Sequence, residues 1–276
     1  MELLLLGTAA AESWPAPFCV CPACEHARAV GGKEIRRRSS ALLDGSVLVD
    51  LGPDTFSQVQ AFGRSLAGIT TLVFTHDHSD HLQPDELNYR SPTFSTQTPL
   101  PMLQVLGNEA VVDKLVQQYP DADWRREEAK MTFESPLMPF EARTTDDGTA
   151  ILPLPADHAP LSLVLRLTRG GKHVFYGHDS GLYPEETIAA LAGTPLDVAL
   201  LDCTYGSQKS SNRGHMGVDG VIASVRRLRE VGAVTDRTIV VATHYSHNGR
   251  ATYDQLRSLL EPEGIQASYD GMAIAI

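Results

Sequence analysis

Three histidines and two aspartates fall within six residues, His76-Asp77-His78-Ser79-Asp80-His81, directly after the β-branched and apolar run Thr71–Phe74. The run reads as a short buried strand, so the cluster leaves a sheet at a strand end. Imidazoles and carboxylates this dense are costly near a core unless they are paired or hold a cation. Their nitrogen and oxygen donors suit zinc, manganese or iron. His76 and His78, at H-x-H spacing, can serve one ion, and the adjacent Asp80-His81 pair can serve a second. A chain built around this segment must bring further strand ends to the same place.

Three more candidates stand after strand-like runs. His158 follows Ile151–Leu154, Asp179 follows His173–Tyr176, and His244 follows Thr238–Thr243. Residues at the ends of successive strands point to one rim of one sheet edge.

The remaining runs fill in the architecture. Strands are expected at Glu2–Leu6, at Ser40–Leu43 and Ser46–Asp50 joined by the Asp44-Gly45 turn, and at Met131–Phe140, Ser162–Thr168, Val198–Asp202 and Met272–Ile276. Helical spacing marks Phe56–Ser65, Asn108–Tyr119, Pro184–Leu191, Val218–Val231 and Tyr253–Leu260. Strands in two blocks, each followed by helices, predict an α/β protein of two packed sheets with helices outside, an α/β/β/α sandwich. One domain is expected over residues 1–276, with a metal-binding loop at about 19–26. The Pro-, Ser- and Thr-rich stretch 82–101 is expected to be a loop over the site.

All four cysteines have a reading. Cys19, Cys21 and Cys24 form C-x-C-x-x-C. In a chain with no visible export signal such spacing marks a metal site rather than disulfides. Three thiolates and one imidazole close a structural tetrahedral zinc site, the fourth ligand being His26 or His247. Local spacing favours His26. Cys203, after an apolar strand, is a small core residue.

Charge limits the partners. With 34 acidic and 23 basic residues the net charge is −11, which argues against long nucleic acid. The basic run Lys33–Arg38 reads as a solvated face. The apolar opening MELLLLGTAAA has no cationic start and is too short to span a bilayer, so neither a membrane partner nor export is expected. The protein is expected to be cytoplasmic.

The pattern T-H-x-H-x-D-H at Thr75–His81, then His158, then Asp179-Ser180-Gly181, then Thr243-His244, resembles the metallo-β-lactamase fold superfamily over nearly the whole chain. The resemblance implies a four-layer α/β/β/α sandwich with two divalent ions, manganese or zinc. His76, His78 and His158 would hold the first, Asp80, His81 and His244 the second, and Asp179 would bridge them. Asp77 has no ligand role in that pattern. Two ions roughly 3.5–4 Å apart acidify a bound water for hydrolysis, and Asp80 would also orient that hydroxide or take its proton.

Within the superfamily, the cysteine motif is similar to that of PhnP-type phosphodiesterases of phosphonate metabolism. There a histidine three residues after the last active-site histidine completes the structural zinc, which makes His247 the implied ligand here. Asn212-Arg213-Gly214-His215-Met216-Gly217 and Tyr269-Asp270-Gly271-Met272 also look like that family. His215 falls at its catalytic histidine near the substrate phosphate. The resemblance implies a phosphoric diester hydrolase acting on a small cyclic or nucleotide-like phosphodiester such as a ribosyl cyclic phosphate, and a homodimer. PqqB-type proteins also combine this fold with an N-terminal cysteine motif. The alternatives are therefore a thioester or lactone hydrolase and a PqqB-like binding or carrier protein.

Overall fold

The computed structural model describes residues 1–95, 99–210 and 214–276. Asn212 and Arg213, and residues 96–98 of the 82–101 stretch, lie outside the described residues. In chain order the strands are β1 (Glu2–Gly7), β2 (Ser40–Leu43), β3 (Val47–Val49), β4 (Thr71–Val73), β5 (Leu103–Leu106), β6 (Met131–Phe133), β7 (Arg143–Thr144), β8 (Ala150–Pro155), β9 (Leu163–Arg169), β10 (Lys172–Gly177), β11 (Val198–Asp202), β12 (Ile239–Thr243), β13 (Ile265–Ala267) and β14 (Ala273–Ala275). Among the described residues they form two seven-stranded sheets, ordered β14-β1-β2-β3-β4-β5-β6 and β13-β12-β11-β10-β9-β8-β7.

The sequence shows why both sheets are interior. Leu3 and Leu5 point into the core between the sheets, while Leu4 and Leu6 pack on the opposite face. A strand apolar at every position is one buried on both sides. The turn between β2 and β3 puts Asp44 at φ 47° and Gly45 at φ 69°, both left-handed, with Ser46 N donating to Leu43 O at 3.0 Å.

Helices cover the outer faces: α1 (Pro22–Val30), α2 (Thr55–Ala61), α3 (Glu109–Gln118), α4 (Glu185–Leu191), α5 (Val218–Glu230) and α6 (Tyr253–Leu260). Val111 and Leu115 of α3 pack on the first sheet. Ile188 and Leu191 of α4, Val221 and Val225 of α5, and Leu256 and Leu260 of α6 pack on the second. The layers are α/β/β/α. No helix among the described residues is long and apolar enough to cross a membrane.

Several elements depart from the sequence reading. The strand expected over 131–140 stops at Phe133, ahead of Pro136 and Pro139, which cannot donate to a ladder. The helix expected at 56–65 ends at Ala61, before Gly63 at φ 59°. α1, β5, β7 and β13 were not foreseen, each being too short or too irregular in pattern. β14 returns to the first sheet beside β1 rather than completing the second block. Arg36, expected on a solvated face, is fully buried, its guanidinium 4.4 Å from the centre of the Tyr245 ring. The described start of the 82–101 stretch packs on the outside of the first sheet, where Leu87 joins the core and Pro84 O accepts a hydrogen bond from Tyr119 Oη at 2.8 Å.

β3–β6 run parallel, as do β10–β13. The loops leaving β4, β8, β10 and β12 carry the candidate residues. The rim they form spans both sheets: the Thr75–His81 segment comes from the first, and His158, Asp179 and His244 from the second.

Candidate metal centre

Asp179 lies at the middle of the histidine constellation. Its Oδ2 is 2.8 Å from His81 Nε2 and 3.0 Å from His244 Nε2. Its Oδ1 faces the other side, 3.8 Å from His158 Nε2. His76, His78 and His158 present ring nitrogens within 4.8 Å of one another. Asp80 Oδ2 stands 3.1 Å from His81 Nε2. The structure thus gathers all seven sequence-predicted candidates into two neighbouring groups, with one carboxylate oxygen turned to each.

Each anchored ring is oriented from behind. His76 Nδ1 donates to Thr75 Oγ1 at 3.0 Å, and that hydroxyl donates to Asp50 at 3.0 Å. His244 Nδ1 donates to Thr204 Oγ1 at 2.9 Å, which donates to Asp202 at 3.0 Å. His81 Nδ1 donates directly to Asp50 Oδ2 at 2.8 Å. With Nδ1 protonated, Nε2 is left as a lone pair facing the centre, the tautomer a metal ligand needs. Asp50 and Asp202 are both fully buried.

The donor set can be tested for fit to cations on these atoms alone. Nε2 of His76, His81 and His244 are buried and lack a hydrogen-bond partner. Lone pairs aimed at carboxylates are repelled unless a positive charge sits between them. Burial pushes the His81 imidazole down, but Asp179 and Asp50 outweigh it and hold it well above the usual histidine range. Burial pushes the Asp179 carboxyl up, yet His244 and His81 draw it well below its usual range. His76, buried among other imidazoles, is held well below the usual range and stays neutral. The positive charge that Asp179 and Asp50 hold on His81 is the charge a divalent ion would supply in its place, leaving that ring a neutral donor like His76.

His215 stands at the rim, ring-stacked on His244 with centroids 5.7 Å apart. Its Nδ1 is 3.0 Å from Asp202 Oδ2 and 3.9 Å from Asp179 Oδ1. Burial lowers its pKa, but the bond to Asp202 prevails and raises it to about 9. Asp77 turns outward to Lys114, with Nζ 2.6 Å from Oδ2.

The second cluster is built by the segment leading into α1, the first turn of α1 and the loop after β12. Ligand atoms of Cys19, Cys21, Cys24 and His247 lie within 4.8 Å of one another. His247 Nδ1 is 3.6 Å from Cys19 Sγ and 3.5 Å from Cys21 Sγ, while its Nε2 faces Glu12 at 3.6 Å. His26 instead turns to Glu34, 3.6 Å away. Burial raises the Cys21 thiol, but the Cys24 backbone and His247 bring it down to about 6, into thiolate range. Cys203 is fully buried and its thiol is pushed far up.

The sequence reading missed Asp50, Asp202, Thr204 and His178. His178 is buried, its Nδ1 3.2 Å from Asp179 Oδ2 and its ring stacked 5.3 Å from that of His244. Its position next to Asp179 was the available signal. Nothing local marks the other three.

A two-sheet sandwich whose facing loops converge on paired histidine and aspartate groups defines a metal-dependent hydrolase fold. The sequence profile described as beta-lactamase superfamily domain matches residues 46–245, and the chain belongs to that family. Its fold is that of the metallo-β-lactamases. No curated protein sequence matches the chain. A solved diphosphatase from the PhnP family is similar at 23% identity and TM-score 0.74, covering 100% of this chain and 97% of that one. Zinc-bound PqqB from Methylobacterium extorquens is similar at 19% identity and TM-score 0.74, covering 100% of both chains. The human short-form tRNase Z follows at 18% identity and TM-score 0.65, covering 100% of this chain and 99% of that one.

Proposed function

We propose that this chain is a phosphodiesterase acting through two divalent ions, manganese or zinc, on a small cyclic or nucleotide-like phosphodiester. The observation that carries the reading is Asp179, whose two carboxylate oxygens turn to separate histidine groups. His76, His78 and His158 would hold one ion, Asp80, His81 and His244 the other, with Asp179 between. Such a pair supplies positive charge at the phosphoryl oxygens and an acidified water. Asp80 would also orient the attacking water through its carboxylate. His215, braced on Asp202, donates a proton to the departing alkoxide or holds a phosphoryl oxygen. Cys19, Cys21, Cys24 and His247 would hold a structural zinc that ties α1 to the loop carrying His244. The similarity to a PhnP-family diphosphatase supports phosphoryl chemistry, and anhydride substrates therefore belong among those tried.

A second reading is a PqqB-like binding or carrier protein, favoured by an equal TM-score to PqqB. The intact set of donors supports catalysis over carriage. Both readings meet in one experiment. The protein is reconstituted with manganese or zinc, its metal content measured, and bis(p-nitrophenyl) phosphate, ribosyl cyclic phosphates, cyclic nucleotides, linear dinucleotides and a nucleoside diphosphate supplied. Three metals per chain with diester turnover are expected. A full metal load with no diester cleaved would sink the phosphodiesterase reading.

A further inference from the structure

Beside the candidate centre runs a groove of about 500 Å³ that the chemistry above does not use. His158 lines it, so one candidate ligand of the centre also forms a wall of the groove. Its other walls include Met138, Pro139, Pro155, Pro160 and Leu161. Met138 is 53% exposed and Leu161 55%, two large apolar side chains turned to open space around one groove. The loop is held in that shape: Asn108 Nδ2 donates to Leu161 O at 2.8 Å, and Leu161 sits at φ 64°. A leucine in the left-handed region is uncommon, and such strain concentrates at ligand sites. The buried Ser162 Oγ, also in the lining, has no hydrogen-bond partner. Apart from His158, the ionisable residue of the lining is Glu109, which repels anions.

We propose that this groove is a subsite for an uncharged aromatic arm of the substrate, joined to the phosphoryl group held beside His158. The inference rests on the phosphodiesterase reading of the same centre and narrows it. A volume of this size accepts one or two rings. Apolar walls reward a ring, and Glu109 selects against a second phosphate or a carboxylate on that arm.

The test uses the full chain loaded with manganese or zinc and three probes, phenylphosphonate, methylphosphonate and phosphonoacetate, with affinity read by calorimetry. Phenylphosphonate is expected to bind about tenfold tighter than methylphosphonate, the scale of a partly buried ring. Phosphonoacetate should bind no tighter than methylphosphonate. Met138→Asp, at an exposed position, should bring the phenyl-to-methyl ratio to about one. In metal-free protein carrying ¹³C-methyl methionine, 2-naphthol should shift the Met138 methyl signal. Equal affinity for the phenyl and methyl probes, or a tenfold ratio that survives Met138→Asp, overturns the subsite. A chain that cleaves bis(p-nitrophenyl) phosphate without that preference loses only the subsite. A chain that cleaves no phosphodiester overturns the parent reading, and the subsite with it.

Discussion

Asp50 accepts the Nδ1 proton of His81 at 2.8 Å, with both side chains wholly buried. Asp50 also takes the Thr75 amide at 2.8 Å and the Thr75 hydroxyl that orients His76. One carboxylate therefore fixes a ring on each side of the candidate centre. Asp50→Asn keeps the shape and tolerates the native φ of 61°, but its amide cannot accept on both oxygens. Metal affinity and diester turnover are expected to fall about 10–100-fold, as for other carboxylates behind metal-binding histidines. Unchanged metal affinity by competition with a chelator would remove this role.

The cysteine cluster makes a thiol count predictive. In the zinc-loaded protein Cys19, Cys21 and Cys24 should resist Ellman's reagent, and after chelation the part-exposed Cys19 and Cys21 should react first, with Cys24, buried and its thiol raised to about 11, lagging behind them. Cys203 should stay silent until the chain unfolds, since burial keeps it a thiol. His247→Ala should take metal content from three ions to two. If His26→Ala does this instead, the ligand assignment moves to His26.

His215 bonds to Asp202 and has a ring nitrogen within 4.8 Å of ligand atoms of Asp179 and His244, but it is not one of the seven assigned ligands. His215→Ala should lower turnover about 10²–10⁴-fold, the range for a lost general acid. Metal content measured by mass spectrometry should not change. Loss of an ion in that variant would instead make His215 a ligand.

Asp270 offers a pH signature away from the centre. Burial raises its carboxyl to about 6, although the Arg37 amide and Thr8 Oγ1 donate to it at 2.7 and 2.8 Å. A carboxyl whose folded pKa exceeds its unfolded one favours the fold while protonated, and that contribution is lost as pH rises from about 4 to about 6. Against Asp270→Asn, the native chain should lose on the order of 3 kcal/mol of relative stability between those values. A urea midpoint difference that does not vary with pH would refute the shift.

The densest part of the candidate centre was legible because it is local. His76, His78, Asp80 and His81 leave one strand together, and a loop of six residues cannot carry them far apart. The C-x-C-x-x-C spacing works in the same way, as does the Asp44-Gly45 turn. His247 was harder to read, since spacing alone pointed to His26, and only the folded chain brings Cys19 within 3.6 Å of a residue 228 positions away.

What the sequence by itself marked is the His76–His81 cluster, the C-x-C-x-x-C motif and the layer order, because these depend on short-range patterns of residue type. Only the tertiary structure decided that the rim spans two sheets, that Asp50 and Asp202 stand behind the rings, and that Met138, Leu161 and His158 line one groove. A buried carboxylate carries no mark in its own neighbourhood. Its partner lies 31 residues away for Asp50 and His81, so its meaning exists only once the sheets have packed.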